Sequence, residues 1–343
     1  MEHAGPVIGV DPHLDTFDLV AVDALDRMLM TKHCENTPAG WAQAAAVAER
    51  FGITTVGIEG ASGYGAALAR TLVRTGLRVM DVPTRVTASG RRTQASGKND
   101  QIDARIVARA VLANRANQWA DTPELETLRV LTHRRESLVK AQTRDINALR
   151  ALLVELDPPK AAQLRRLRST RAFNQLIDLE PQPESAAEIV AQLIRDLAAD
   201  CCRRLSQIRR LERQMRIHLP PIGHKLIDEI VGCGVITAAI VLGELAGTDG
   251  FTTEAKYAKW SGTAPLDASS GRQQHHRLNR GGNRQTNRAI HTIVLTQLAH
   301  GGQAADYIKR RQQQGLTRRS AIRAAKRYVA RRIWRTIHQH QLT

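Results

Sequence analysis

Four acidic residues stand where carboxylates could work together. Asp11 closes the apolar run "PVIGVD", and Glu59 closes a second one within "TTVGIEG". Asp100 and Asp103 are three residues apart in "SGKNDQIDARIVARAVL", where a polar stretch gives way to a helical pattern. Side chains at the C-terminal ends of buried strands project into the crevice where α/β proteins commonly place chemistry. A three-residue step keeps two helical side chains on one face. Four carboxylates converging on one point repel one another unless divalent cations sit between them. Two Mg²⁺ ions held this way can activate a nucleophile and stabilise a leaving oxygen in phosphoryl transfer. Each acid also has an ordinary use: Asp11 as a turn cap, Glu59 as an arginine partner, Asp100 as an N-cap, and Asp103 as a complement to the helix dipole. The remaining acids of the first hairpin, Asp15, Asp18, Asp23 and Asp26, read as turn and surface residues.

The elements that must position this set follow from periodicity. "PVIGVD" reads as a strand, "FDLVAVDALDRMLM" as a hairpin turning at Asp23–Asp26, residues 37–51 as a helix, and 54–60 as a buried strand. A helix at about 64–75 and a strand at 77–82 follow. This β-β-β-α-β-α order predicts a mixed sheet flanked by helices, and the strand-end Asp, strand-end Glu and helical D-x-x-D are spaced as in an RNase H-like fold. From about 122 to 218 the texture becomes long, charged helices. One stripe runs through Leu125, Leu128, Leu131, Leu138, Leu149, Leu153 and Leu156. A second runs through Val190, Leu193, Leu197, Cys201, Leu205, Ile208 and Met215, as in a helical hairpin or coiled coil. Pro158, Pro159, Pro181 and Pro183 break the stretch between them. After Pro220-Pro221, "LIDEIVGCGVITAAIVLGEL" reads as helix, Gly-x-Gly turn, helix. That pattern fits both a phosphate-binding helix-hairpin-helix and a tight turn between packed helices.

Bulk properties bound the function. The 343 residues carry a net charge of +17, distributed unevenly. Residues 1–85 hold 7 Lys/Arg against 10 Asp/Glu, a net of −3; residues 251–300 hold 7 against 2, a net of +5; residues 301–343 hold 11 against 1, a net of +10. Charge gathered on one end suits a polyanion, since each neutralised phosphate releases condensed counterions; the simpler use of such a tail is solubility. The basic segment lacks the apolar face of an interfacial helix. No run reaches the length of a membrane span, and no basic-then-apolar leader opens the chain, so no membrane partner and a cytoplasmic location are expected. Cys34, Cys201, Cys202 and Cys233 form no C-x-x-C pair, which argues for reduced thiols and against structural zinc.

A second constellation lies in "KWSGTAPLDASSGRQQHHRLNRGGNRQTNRAIH", residues 259–291. Ser269-Ser270-Gly271 precedes a dense set of Arg and His. A serine hydroxyl needs a base or an electropositive pocket to act as a nucleophile. Arg272, Arg277, Arg280, Arg284 and Arg288 are suited to phosphate; the same segment is also readable as a Ser/Gly turn in a DNA-binding loop.

Taken together, "IGVDPHLDT", "VGIEGASGYG", "KNDQIDARIVAR", "GCGVITAAIVLGEL", "KWSGTAPLDASSG", "HRLNRGGNRQTNRAI" and "YIKRRQQQGLTRRSAIRAAKRYVAR" closely resemble, in this order, the DEDD-type insertion-sequence transposases related to the Piv DNA invertase. The likeness runs along nearly the whole chain. It implies three parts: a RuvC-like carboxylate domain over 1–118, a helical coiled-coil arm for oligomerisation over 119–220, and a mainly helical transposase domain over 221–343 with a serine loop and basic tail. Asp11, Glu59, Asp100 and Asp103 become the metal-binding catalytic acids, for two Mg²⁺ or substituting Mn²⁺. Ser270 becomes the nucleophile that forms a phosphoserine link to DNA, with Ser269 its adjacent rival. Lys309, Arg310, Arg318, Arg319, Lys326 and Arg327 join the loop arginines as nucleic-acid contacts. The resemblance further implies DNA as substrate, a structured bridge RNA as guide, a homo-oligomer (dimer or tetramer) and a nucleoid-associated life in the cytoplasm. One departure is Asn99, where similar sequences often carry Thr. A junction nuclease using metal-activated water, and a catalytically dead nucleic-acid-binding protein, are the competing expectations.

Overall fold

The computed structural model describes residues 5–92, 100–164, 167–180, 185–267, 276–277, 279 and 281–341. The chain divides into two compact units, one of residues 1–123 with 245–251, the other of residues 124–244 with 252–343.

The first unit is built on a six-stranded sheet. Its strands are β1 (Val7–Pro12), β2 (Thr16–Val22), β3 (Met28–Glu35), β4 (Thr55–Glu59), β5 (Arg78–Val82) and β6 (Asn117–Gln118), in the order β3-β2-β1-β4-β5-β6. β1 pairs antiparallel with β2 and parallel with β4; β4 and β5 are parallel, and β6 closes the far edge antiparallel. Three consecutive antiparallel strands need only tight turns, whereas the parallel steps need helical crossovers. Helices α1 (Pro38–Arg50) and α2 (Ala66–Arg74) supply them. Thr37 caps α1, with its side chain accepting from the Gly40 amide. α3 (Thr84–Arg92) and α4 (Asp100–Leu112) follow β5.

Alternation along the strands sends Ile8, Val10, Phe17, Leu19, Val56, Ile58 and Val79 into one core, which also takes α1 and α2. Val7, Val20, Val22, Met80 and Val82 face the other way, into a second core with Ala104, Val107, Ala108 and Val111 of α4. On that face two strand positions are glycine. A Cβ built on Gly9 would lie 2.1 Å from the carbonyl oxygen of Ala104, and one on Gly57 would lie 2.4 Å from Val111 Cγ2. α4 therefore rests directly on the backbone of β1 and β4.

The second unit is helical. α5 (Pro123–Leu156), α6 (Pro158–Gln163), α7 (Thr170–Ile177) and α8 (Ser185–Ile217) share a core of Leu149, Leu153, Leu167, Phe173, Leu176, Ala191, Ile194, Ala198 and Cys201. The buried side of the first half of α8 is Ala191–Ile194–Ala198, with Val190 and Leu197 of the expected stripe partly buried beside it. Leu193 is 47% exposed. Small alanines let α7 lie close against α8, which turns the larger Leu193 outward. Next come α9 (Pro221–Glu229) and α10 (Val235–Gly243), joined through Gly232 at φ +81°. α11 (Glu254–Trp260) leads to a two-stranded ladder of β7 (Leu266–Asp267) and β8 (His276–Arg277). α12 (Arg284–His300), α13 (Gln303–Gln313) and α14 (Arg318–Gln341) complete the unit around Ile290, Ile293, Val294, Ala325, Val329 and Ile333. No helix among the described residues is long and apolar enough to cross a membrane.

Candidate acidic metal centre

The register of the sheet explains how the acids assemble. Gly9 is paired with Gly57 and Val10 with Ile58 across the parallel β1–β4 ladder, so Asp11 and Glu59 end neighbouring strands. Both lie two residues beyond the glycines that face α4, and a period of two turns their side chains to that same face. α4 runs over this face with Ala104 and Ala108 against Gly9, which brings its first turn to the strand ends. Asp100 and Asp103 both lie in that first turn, where the helix dipole favours negative charge.

Asp11, Asp100 and His13 form a tight group: one ligand atom from each lies within 4.8 Å of the others. His13 Nε2 is 3.6 Å from Asp11 Oδ2 and 3.8 Å from Asp100 Oδ1. Those distances are too long for hydrogen bonds, and Nε2 is buried without such a partner. Asp11 is 6% exposed and Asp103 3% exposed, whereas the Asp100 side chain is 46% exposed. Glu59 Oε1 accepts a 2.7 Å hydrogen bond from the buried Thr87 hydroxyl of α3. Neither Glu59 nor Asp103 belongs to the three-residue group. Two carboxylates and an imidazole nitrogen gathered without hydrogen bonds to each other suit a divalent cation, and the oxygen-rich set suits Mg²⁺ or Mn²⁺.

Two further carboxylates border this edge. Asp18, 4% exposed, lies directly across the ladder from Asp11 and next to His33, whose Nδ1 is 3.0 Å from Asp18 Oδ2. Asp18 is thus a buried strand residue and not the surface position its place in a polar hairpin suggests. Its spacing of two from Val20 and Val22 was the available signal. Asp81 of β5 accepts a 2.8 Å hydrogen bond from the Ala61 amide, just beyond Glu59. Burial pushes its carboxyl above the usual range, the Ala61 bond opposes this, and Glu59 adds to it. His13, also absent from the sequence-based set, was visible only as an imidazole two residues past a strand-end aspartate.

The serine pair Ser269–Ser270, and Arg272 and Arg280, lie outside the described residues. Arg277 lies in β8. Arg288 is paired with Glu136 at 2.6 Å, and Arg327 with Glu254 at 2.5 Å. Lys309, Arg310, Arg318 and Arg319 are exposed, with the Arg310 guanidinium over the Tyr307 ring. Lys326 is buried where α14 packs on α12, whereas Arg284 is exposed at the start of α12; neither carries a carboxylate partner among the described residues.

A mixed sheet whose central strands end in acids, with a helix bringing two more to the same edge, defines an α/β protein with an acidic rim. Comparison with known proteins takes this further. Residues 8–158 match the family model DEDD_Tnp_IS110, described as a transposase. Residues 224–309 match that of the Transposase IS116/IS110/IS902 family. The two models together match well over half of the chain, which belongs to this transposase family. A probable family 20 transposase of Pseudomonas aeruginosa is 28% identical over 60% of this chain, a match spanning 59% of that relative. The insertion element IS116 uncharacterized 44.8 kDa protein of Streptomyces clavuligerus is 23% identical over 80% of each chain. Among solved structures, Thermus thermophilus RuvC in complex with a Holliday junction substrate matches 33% of this chain and 99% of its own, at 17% identity and a TM-score of 0.27.

Proposed function

We propose that this protein is a DNA transposase and site-specific recombinase of an insertion sequence, which cuts and rejoins DNA. The observation that carries the reading is the convergence of Asp11 and Asp100, with His13 between them, in a chain of this transposase family. Asp11, Glu59, Asp100 and Asp103 would hold two Mg²⁺, for which Mn²⁺ substitutes. Metal bound there supplies Lewis-acid stabilisation of charge at a phosphate and lowers the pKa of an attacking hydroxyl or water. The protein's own contribution is rigidity: Asp11 and Glu59 are fixed by the strand ladder, Asp100 and Asp103 by α4, and Thr87 orients Glu59.

In this reading Ser270 is the nucleophile. Its Oγ forms a bond to the scissile phosphorus, a DNA oxygen leaves, and the serine proton ends on that oxygen, so a phosphoserine link joins protein to DNA. Rejoining reverses these changes with a new DNA hydroxyl. Lys309, Arg310, Arg318 and Arg319, with the loop arginines Arg272, Arg277 and Arg280, neutralise backbone phosphates. The division into a RuvC-like domain (1–118), a coiled-coil arm (119–220) and a transposase domain (221–343) gives a homo-oligomer that pairs two DNA sites. A structured RNA supplies the sequence choice by base pairing, in the bacterial or archaeal cytoplasm at the nucleoid.

The test is denaturing electrophoresis of reactions on labelled element-end DNA with Mg²⁺. The expected result is an SDS-stable adduct mapping to a peptide that contains Ser270, absent from Ser270→Ala. Unimpaired recombination by Ser270→Ala removes the serine from the reaction. Hydrolysed ends without any adduct would favour the second reading, a metal-dependent junction nuclease using activated water. That reading draws on Asp11, His13 and Asp100 gathering within the first unit.

A further inference from the structure

Lys326, expected among the nucleic-acid contacts, is buried, and the chemistry proposed above gives it no part. It lies on α14 and is 9% exposed, and its ammonium donates to Asn287 Oδ1 on α12. Asn287, itself 8% exposed, donates through Nδ2 to the Ser261 carbonyl at 2.8 Å. One turn earlier on α12, Arg284 donates Nη1 to the Asn279 carbonyl at 3.2 Å. Asn279 is buried at the foot of the β7–β8 hairpin and donates Nδ2 to the Lys259 carbonyl at 3.2 Å.

Neither Lys326 nor Arg284 has a carboxylate partner among the described residues. An ammonium has three hydrogens to donate, and here one of them meets an acceptor. Burying such a charge unpaired costs several kcal/mol, so native proteins pair it or hold it for a ligand. The groups that face Lys326 from α12 are Arg284 and His291, and both are basic. Glu254 of α11 is engaged by Arg327 and Arg331. Burial first, then Arg284, lowers the Lys326 pKa to about 8; burial and Lys326 lower that of His291. A buried ammonium on Asn287 and an exposed guanidinium on the Asn279 carbonyl, with no carboxylate beside either among the described residues, make a receptor for an anion.

We propose that Lys326 and Arg284, oriented by Asn287 and Asn279, form a site for a single phosphate group of a nucleic-acid backbone at the foot of the β7–β8 ladder. The guanidinium fork and the ammonium point charge complement each other on a tetrahedral oxyanion. The net charges of +5 and +10 over residues 251–300 and 301–343 draw in a polyanion. The choice of a nucleic-acid phosphate rests on the reading of the chain as a DNA-acting transposase; the anion site itself rests on the two unpaired cations. The competing role for Lys326 is a structural bridge between α14 and α12.

The test uses the full-length protein with lysine side chains labelled at Cε and Nζ, followed by NMR. Inorganic phosphate is titrated first, then a short DNA duplex. Phosphate should move the Lys326 titration from about 8 toward the ordinary lysine value of about 10.4. Arg284→Gln should weaken phosphate binding about tenfold, the scale of one charge-assisted hydrogen bond. A Lys326 signal that phosphate leaves unmoved, or an Arg284→Gln protein that binds phosphate as tightly as the parent, overturns the site. Lys326→Met is the confirming variant. Should it fail to fold, the parent's phosphate titration decides alone. Duplex binding with Lys326 unmoved by either titrant leaves the transposase reading standing and removes the site. A phosphate response without duplex binding does the reverse.

Discussion

Gly9 and Ala104 meet with no space for a side chain between them: a Cβ on Gly9 would stand 2.1 Å from the Ala104 carbonyl oxygen. This contact seats α4 on β1, and the acidic first turn of α4 reaches Asp11 because of it. Gly9→Ala should destabilise the first unit by about 1–3 kcal/mol, the usual cost of overpacking. It should also reduce divalent-metal binding, because lifting α4 separates Asp100 from Asp11. Calorimetry and a metal titration on the same protein check both; a stable variant with unchanged metal affinity contradicts this account.

His13 shares its group with Asp11 and Asp100. His13→Ala should lower Mn²⁺ affinity about 10–100-fold, the range seen when groups supporting a metal site are removed, while leaving the melting temperature close to that of the parent. Asp11→Asn should abolish metal-dependent cleavage. Mn²⁺ binding followed by electron paramagnetic resonance measures the first effect and a nicking assay the second. An unchanged Mn²⁺ affinity in His13→Ala leaves the imidazole outside the site.

Burial draws the Glu136 carboxyl upward, but hydrogen bonds from Arg288, Lys140 and Gln285 outweigh it and hold the pKa at about 2. A depressed native pKa gives stability that is present above the unfolded value of 4.5 and fades as pH falls through about 2. Glu136→Gln should therefore cost about 1–2 kcal/mol at neutral pH. This sits at the low end for charge-assisted bonds, because the Arg288 and Lys140 side chains are 49% and 72% exposed. The gap between parent and variant should close between pH 4.5 and 2. Urea titrations across that range test it, and a gap that stays constant with pH refutes the linkage.

Thr87 donates to Glu59 from a fully buried position. Thr87→Val preserves shape but leaves Glu59 without that donor. Cleavage should fall about tenfold, the worth of one hydrogen bond to a charged group, with little change in DNA affinity. Equal cleavage by parent and variant removes Thr87 from the orientation of Glu59.

By itself the sequence determined the first five strands, their order along the chain and the acids at the ends of two of them, since period-two alternation in "VIGVD" and "TVGIE" and the helical run after Asp100 are local patterns. It also determined where positive charge gathers. Other properties needed the tertiary structure. Asp18 reads as hairpin polarity until the register sets it across from Asp11, and His13 reads as a loop residue until α4 brings Asp100 to it. Leu193 looks like core until α7 packs on the alanines beside it. Lys326 reads as one more cation of a basic tail, and only the docking of α14 on α12 buries it beside Asn287. Local spacing sets which face a side chain takes. Which partner that face meets depends on strand register and helix docking, between residues up to about a hundred positions apart in the chain.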